Sequence, residues 1–400
     1  MKKNKLICIL LLLITLTTQF VVADDWYGEK GGYYKVYDID SDEVLFQIAR
    51  EVVKGDQYLS GNNKMYKVVK ANKKSQIAYA QFVEDVLLPE IDEDIFSNIK
   101  LTMQDGLDIG SIPAQAEQKD KDKRKVAIYS THSSESFVPS EGTDSTEGKG
   151  GILKVAQKLK QGFEKNGVEA TLDSTLHSPH DAGAYKRSRR TALQLIRQQH
   201  PTALIDVHRD AVPPEEYLVE IKGKPAAKVR LVVGRRNQNF KANEDMAKKI
   251  KAAADKMYPN MIKDIFFGQG DYNQDLTPRA ILTEIGTHGH MRERSEKTAG
   301  FLSEAITVAL FGNVFKEGKS TKTGTNGTGG GDTSKKVKFD EPGSKSSKGA
   351  GAGILGILAI AVVGGVGFLF LSSGSTEWKS KVSNFRQEFM NFLGRNKNRK

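Results

Sequence analysis

Three short apolar segments each run into a side chain that can bind a metal. Val126–His132 (VAIYSTH) leads into Ser133, Ser134 and Glu135, Ala203–His208 reads ALIDVH, and Ala280–Glu284 reads AILTE. The resulting set is His132, Glu135, His208 and Glu284. Two imidazoles and one carboxylate are a common ligand set for catalytic zinc, with the fourth position left to water. A further glutamate can then serve as general base. All seven histidines lie between His132 and His290, and the single cysteine, Cys8, is far away in an N-terminal apolar segment. Zinc would therefore be bound through nitrogen and oxygen.

His132-x-x-Glu135 alone is a weak signal, and its force comes from combination with His208 and Glu284. In Ile205–Asp210 (IDVHRD) an apolar strand runs straight into charge, which a buried strand end rarely tolerates without partners. We therefore take His132, Glu135, His208 and Glu284 together as a candidate metal site. Arg209 is a catalytic candidate that could neutralise a substrate carboxylate or an oxyanion. Its structural alternative is an ion pair with Asp206 or Asp210. Asp206 could instead orient a histidine. Glu147, near the start of the following helix, is the rival of Glu135 as carboxylate ligand. His177, His180, His288 and His290 fall in expected loops and read as surface or substrate-side residues. Ser133, Ser134 and Ser136 form no nucleophile elbow, because the chain has no G-x-S-x-G.

These residues need strands to position them. Residues 125–315 alternate strands with helices. Strands are expected at 126–132, 168–172, 203–208, 217–221, 228–233 and 280–284. Helices are expected at about 148–166, at 185–199, 243–257 and 294–310. Ile152, Val155, Leu159 and Phe163 share one face of the first helix, and Gly167 ends it. This alternation indicates an α/β fold, a three-layer sandwich with a mainly parallel sheet. Ligands of such sheets bind beyond the carboxyl ends of the strands, where His132, His208 and Glu284 fall. Residues 24–104 read as a small β-rich N-terminal domain with strands near 33–39, 44–52 and 64–71. Residues 75–88 suit a short helix or another strand, and no catalytic set is visible in this domain. Residues 105–124 read as a polar linker.

The net charge of +11 looks at first like a nucleic-acid signal. The excess, however, lies in Lys2, Lys3 and Lys5, in residues 316–348 and in residues 373–400, leaving the rest nearly neutral. No basic stripe falls on a folded domain, which argues against nucleic acid as a partner. Residues 1–23 read as a secretory signal peptide, with three lysines, an apolar run and a small-residue site ending at Ala23. Residues 316–348, rich in Gly, Ser, Thr and Lys, read as a flexible linker. Residues 349–371 hold 23 residues without a charge. At ~1.5 Å per residue that is about 34 Å of helix, enough for a single transmembrane span. The basic tail 372–400 places the C-terminus in the cytoplasm and residues 24–348 outside it. Trp378, Val382, Phe385, Phe389 and Phe392 give that tail an amphipathic stripe suited to a membrane surface or a partner helix.

Five ordered segments carry a family resemblance: THSSESF (131–137), IDVHRDA (205–211), VGRRN (233–237), YNQDLTPRA (272–280) and LTEIGTH (282–288). Together they resemble the stage II sporulation protein P family. The resemblance covers most of 125–315 and extends weakly into 33–82. It implies a zinc-dependent N-acetylmuramoyl-L-alanine amidase with an amidase-like α/β sandwich, acting on peptidoglycan, and a second activity on peptide cross-links. It further implies a role in sporulation engulfment with stage II sporulation proteins D and M as partners. His132 and His208 match the family's zinc histidines, Glu284 its catalytic glutamate and Glu135 the carboxylate of its first motif. Two features depart from the family pattern. Members usually have an N-terminal anchor, and here the expected span is C-terminal. Ser130 stands where a second histidine is often found. The competing functions are a zinc carboxypeptidase or endopeptidase on the stem peptides, and a non-catalytic wall-binding scaffold.

Overall fold

The computed structural model describes residues 32–104, 124–181 and 183–316. The expected signal peptide, most of the linker 105–124, nearly all of the tether and the whole span 349–371 with its tail lie outside these residues. Among the described residues no helix is long and apolar enough to cross a membrane.

The strands are β1 (Tyr34–Asp38), β2 (Val44–Ile48), β3 (Gln57–Ser60), β4 (Lys64–Asn72), β5 (Ile77–Asp85), β6 (Lys125–Tyr129), β7 (Glu169–Leu172), β8 (Ala203–Asp210), β9 (Leu218–Ile221), β10 (Lys224–Ala227), β11 (Val229–Gly234), β12 (Ile262–Gly268) and β13 (Ala280–Thr287). The helices are α1 (Glu93–Gln104), the one-turn α2 (Val138–Glu141), α3 (Ile152–Lys165), α4 (Ala184–Gln199), α5 (Phe240–Met257) and α6 (Arg292–Phe311). Eleven strands form one sheet in the order β2-β1-β5-β4-β3-β12-β11-β13-β8-β6-β7, and β9 and β10 form a separate hairpin.

The fold is thus mixed α/β. Among the strands that residues 124–316 give to the large sheet, β7, β6, β8 and β13 run parallel in turn, as do β11 and β12, and the β11–β13 pair is antiparallel. The N-terminal strands are mostly antiparallel and join the same sheet through β3 against β12. The two regions separated in sequence by residues 105–124 therefore share one sheet. Residues 77–85 form strand β5 rather than a helix. Strand β12 and helix α1 are unforeseen. The Lys263-Asp264 pair interrupts the apolar run of β12, and its explanation lies in the site below.

Side chains alternate across each strand, so the sheet has two distinct faces. Val126, Ile128, Ile205, Val207, Leu231, Val233, Ile265, Phe267, Ile281 and Ile285 belong to one core cluster, together with residues of α3, α5 and α6. Helix α3 is anchored there through Ile152, Val155, Ala156, Leu159 and Phe163, all buried along one stripe. The opposite face is covered in two halves. Ala192 and Leu195 of α4 pack with Ala127, Tyr129, Leu204 and Ala280. Tyr34, Val36, Phe46, Ile48, Tyr58 and Val68 of the N-terminal strands pack with Val232, Phe266 and Leu282. The third layer of the expected sandwich is therefore part helix and part N-terminal sheet.

Candidate metal centre and catalytic base

All eight residues of β8 are buried, including the last four, His208 and Arg209 with Val207 and Asp210. Leu204 faces α4, so Asp206, His208 and Asp210, two residues apart, follow it onto that face. In the neighbouring β13, Glu284 stands in register with His208. The first loop brings the remaining donors. His132 and Glu135 are 1% and 0% exposed. Gly150 lies so close beneath this loop that a Cβ there would sit 2.5 Å from the Ser133 carbonyl oxygen.

One ligand atom from each of His132, Glu135 and His208 lies within 4.8 Å of the other two. Glu135 Oε1 is 3.2 Å from His208 Nδ1 and 3.6 Å from His132 Nδ1. The two imidazoles meet edge to face with centroids 5.0 Å apart. On its other side His208 Nε2 lies 3.0 Å from Asp206 Oδ1. Asp206 also accepts the Thr131 amide at 2.8 Å and the Thr131 hydroxyl at 2.6 Å, tying the first loop to β8. Glu147, the rival carboxylate, is exposed.

The electrostatics fit a cation at this place. Burial opposes a charge on His208, yet Asp206 and Glu135 together push its pKa up to about 9. Burial likewise opposes the charged form of Glu135, but His208, His132 and Arg209 hold its carboxyl well below the usual range. Burial above all keeps His132 neutral far below its ordinary pKa. Two buried carboxylates flanking an imidazole are a seat for positive charge. The His–Glu–His donor set suits zinc.

Glu284 is the fourth member and sits among cations. Its Oε1 accepts from Arg50 Nε at 2.7 Å, and its Oε2 lies 3.4 Å from the Tyr217 hydroxyl and 3.7 Å from Arg230 Nη1. Burial raises its pKa and nearby Asp210 adds to the rise, while Arg50 and Arg230 oppose it. Arg230 is fully buried and grips Asp264 with two bonds of 2.6 and 2.9 Å, and donates to Asp210 at 2.9 Å. Asp264 is therefore the partner that Arg230 needs, and this explains a charged residue inside β12.

Arg209 is held by backbone carbonyls rather than by the ion pair with Asp206 or Asp210. Its guanidinium donates to the backbone carbonyls of Ser136, Asp144 and Asp210 at 3.1, 2.7 and 3.3 Å, and its amide donates to Glu135 Oε2 at 2.9 Å. It pairs with neither carboxylate side chain proposed for it: Asp206 serves Thr131 and His208, and Asp210 serves Arg230 and Tyr217. It thus holds the first loop, and with it Glu135, against β8.

The loop histidines divide. His177 is buried between the Ser130 carbonyl and the Thr191 hydroxyl, both at 2.9 Å. His290 accepts the Thr287 amide at 3.0 Å and stacks on Phe137. His288 is half-buried. Only His180 reaches the centre, half-buried and stacked on His132 with centroids 4.3 Å apart. Arg50, Tyr185, Tyr217 and Arg230 carry no signal in the sequence that marks them as site residues. Arg50 lies 234 residues from Glu284, beyond any local pattern.

Residues 47–307 match the family "Stage II sporulation protein P". The Stage II sporulation protein P of Bacillus subtilis (strain 168) is 29% identical over 204 residues, covering 46% of this chain and 51% of that relative. The match thus spans about half the length of that relative. Among solved structures, the CwlD amidase from Clostridioides difficile, in complex with the GerS lipoprotein, gives a TM-score of 0.34 at 14% identity, covering 46% of this chain and 95% of that one. The N-acetylmuramyl-L-alanine amidase Ami1 from Mycobacterium smegmatis gives 0.31 at 11% identity, covering 46% and 96%. Likenesses this low leave the family match to identify the chain. With that match spanning well over half of its 400 residues, the chain belongs to the stage II sporulation protein P family.

Proposed function

We propose that this protein is a zinc-dependent peptidoglycan hydrolase that cleaves the amide between N-acetylmuramic acid and L-alanine during sporulation. One observation carries the reading: three buried donors, His132, Glu135 and His208, converge within 4.8 Å, beside a glutamate in register with the last of them. When bound, zinc supplies Lewis acidity, which acidifies water and polarises a carbonyl.

The protein's own residues do the rest. His132, Glu135 and His208 would hold the ion, and Asp206 orients His208 from behind. Arg209 and the Thr131–Asp206 pair keep the first loop, and so Glu135, in place. Glu284 takes the proton of the attacking water and passes it to the leaving amine. Its raised pKa suits both halves of that transfer.

The same reading puts residues 24–348 outside the cytoplasm, with 1–23 as a signal peptide and 349–371 as the membrane span. Family membership supports stage II sporulation proteins D and M as partners, and cleavage of peptide cross-links as a second activity. The test is mass spectrometry of muropeptides released from purified sacculi. Glycan chains freed of their stems, with new L-alanine amino termini, support the amidase. Newly cut stems with every muramoyl amide intact turn the assignment to a zinc peptidase. Binding without any cleavage, in protein loaded with zinc, removes the catalytic reading.

A further inference from the structure

Arg50 comes from the N-terminal region, two residues after the end of β2, yet it is only 2% exposed and makes the shortest contact to Glu284. Arg230 cannot take its place, because its fork is committed to Asp264 and Asp210 and it approaches Glu284 only to 3.7 Å. Arg50 is itself held on two sides. Its Nη1 donates to the Tyr185 hydroxyl at 3.1 Å, and its guanidinium carbon lies 5.2 Å from the centroid of the Tyr272 ring.

Those two tyrosines are held in turn. Tyr272 and Asn273 both adopt left-handed backbone conformations, with φ of 49° and 58°. A bulky aromatic residue rarely does so unless its surroundings enforce it. Gly270 leaves room for the ring, since a Cβ there would lie 2.5 Å from Tyr272 Cζ. Asn273 donates to Ser188 Oγ at 3.1 Å and to the Tyr185 carbonyl at 3.3 Å. The Tyr185 ring meets His132 edge to face at 5.4 Å and lies over His208 at 6.4 Å. One clamp therefore runs from the Tyr272-Asn273 turn through Tyr185 and Arg50 to Glu284, touching both metal histidines on the way.

We infer that Arg50 is a positioning residue for Glu284, aimed by Tyr185 and Tyr272, so that the N-terminal strands are a working part of the hydrolytic unit. A buried Arg–Glu pair is a poor stabiliser, because desolvating both ions offsets most of their attraction and apolar residues would serve as well. A rigid planar fork does fix direction, which a base needs: a displacement of about 1 Å can slow a reaction about 100-fold. The inference rests on Glu284 being the base.

The test uses the full chain loaded with zinc, with soluble muropeptide as substrate, and the variants Arg50→Ala, Arg50→Lys, Glu284→Gln and the Arg50→Ala/Glu284→Gln double. For Arg50→Ala we expect kcat to fall about 100-fold, KM to change by less than about threefold and zinc stoichiometry to hold. Arg50→Lys keeps the charge without the fork and should recover only part of the rate. Guanidinium, well below denaturing concentration, should restore part of the rate to Arg50→Ala and none to Glu284→Gln. Urea unfolding supplies a readout independent of activity. Losing Arg50 should lower the midpoint more when Glu284 is present than in Glu284→Gln. A kcat within about threefold of the parent in Arg50→Ala, or equal midpoint shifts in the two backgrounds, overturns the inference. If the parent protein hydrolyses nothing, the proposed reaction fails, and the unfolding cycle still decides whether Arg50 and Glu284 are coupled.

Discussion

Along β8 and β13, Ile205, Val207, Ile281 and Ile285 turn to one face of the sheet and meet α3, α5 and α6. One position away on the same strands, Asp206, His208, Asp210 and Glu284 turn to the other face, where the covering layer includes Arg50. The two faces are equally buried and differ in what satisfies them. Apolar side chains need only volume, and many neighbours can supply it. Ionised ones need a partner of the right charge at the right place, and removing one strands the others. Along β8 and β13 the carboxylates and the imidazole therefore gather on one face, with apolar side chains behind them.

The largest way to break this comparison is to remove a ligand. His208→Ala should abolish both hydrolysis and stoichiometric zinc, read by metal analysis of the purified variant. Retention of both would sink the metal centre. Glu284→Gln comes next, with a fall of about 10²–10⁴ in kcat while zinc stays bound. Unchanged hydrolysis would show that another group acts as base. Below these lies a stability effect on the same face. Arg230→Met strands Asp210 and Asp264 and should cost about 3–5 kcal/mol, measured by urea unfolding.

His290 sharpens the contrast from the apolar side. Its ring packs on Phe137, and burial lowers its pKa to about 4, against an ordinary 6.5. The unfolded chain therefore takes up a proton below about pH 6.5 that the folded one refuses until about pH 4. This contribution is complete above about pH 6.5 and lost as pH falls towards 4, amounting to about 3 kcal/mol. Comparing urea midpoints at pH 7 and pH 4.5 in the parent and in His290→Gln isolates it, since the carboxylates titrate in both. An identical pH dependence in the two proteins would contradict it. The smallest effect belongs to the apolar face itself. Ile205→Val should cost about 0.5–1.5 kcal/mol with zinc content and kcat unchanged. A large drop in kcat there would mean that the faces are not independent.

Much of this division is legible in the amino-acid string. Period-2 alternation in ALIDVHRD sorts Ile205 and Val207 from Asp206, His208 and Asp210. The apolar runs leading to His132, His208 and Glu284 point to the carboxyl ends of neighbouring strands, although β6 stops at Tyr129, before His132, and β8 and β13 continue to Asp210 and Thr287. Other parts are not legible, for a physical reason. Lys263-Asp264 breaks the apolar run of β12 because Asp264 answers Arg230, 34 residues away, and no local pattern carries that. Residues 24–104 look devoid of catalytic groups because Arg50 becomes informative only beside its carboxylate. Arg209 reads as one half of an ion pair beside two aspartates, because a linear string cannot show that three backbone carbonyls will claim it.

Local sequence determined most of the elements of residues 125–315, the donor types and the side of each strand on which they fall, because backbone periodicity acts over a few residues. Which carboxylate joins the histidines was decided only by tertiary structure. Close packing of the first loop on β8 buries Glu135 at the histidines and leaves Glu147 in solvent. Tertiary structure alone also brought Arg50 from the N-terminal strands to Glu284. A buried charge must find its partner wherever the fold places one, however far along the chain that partner lies.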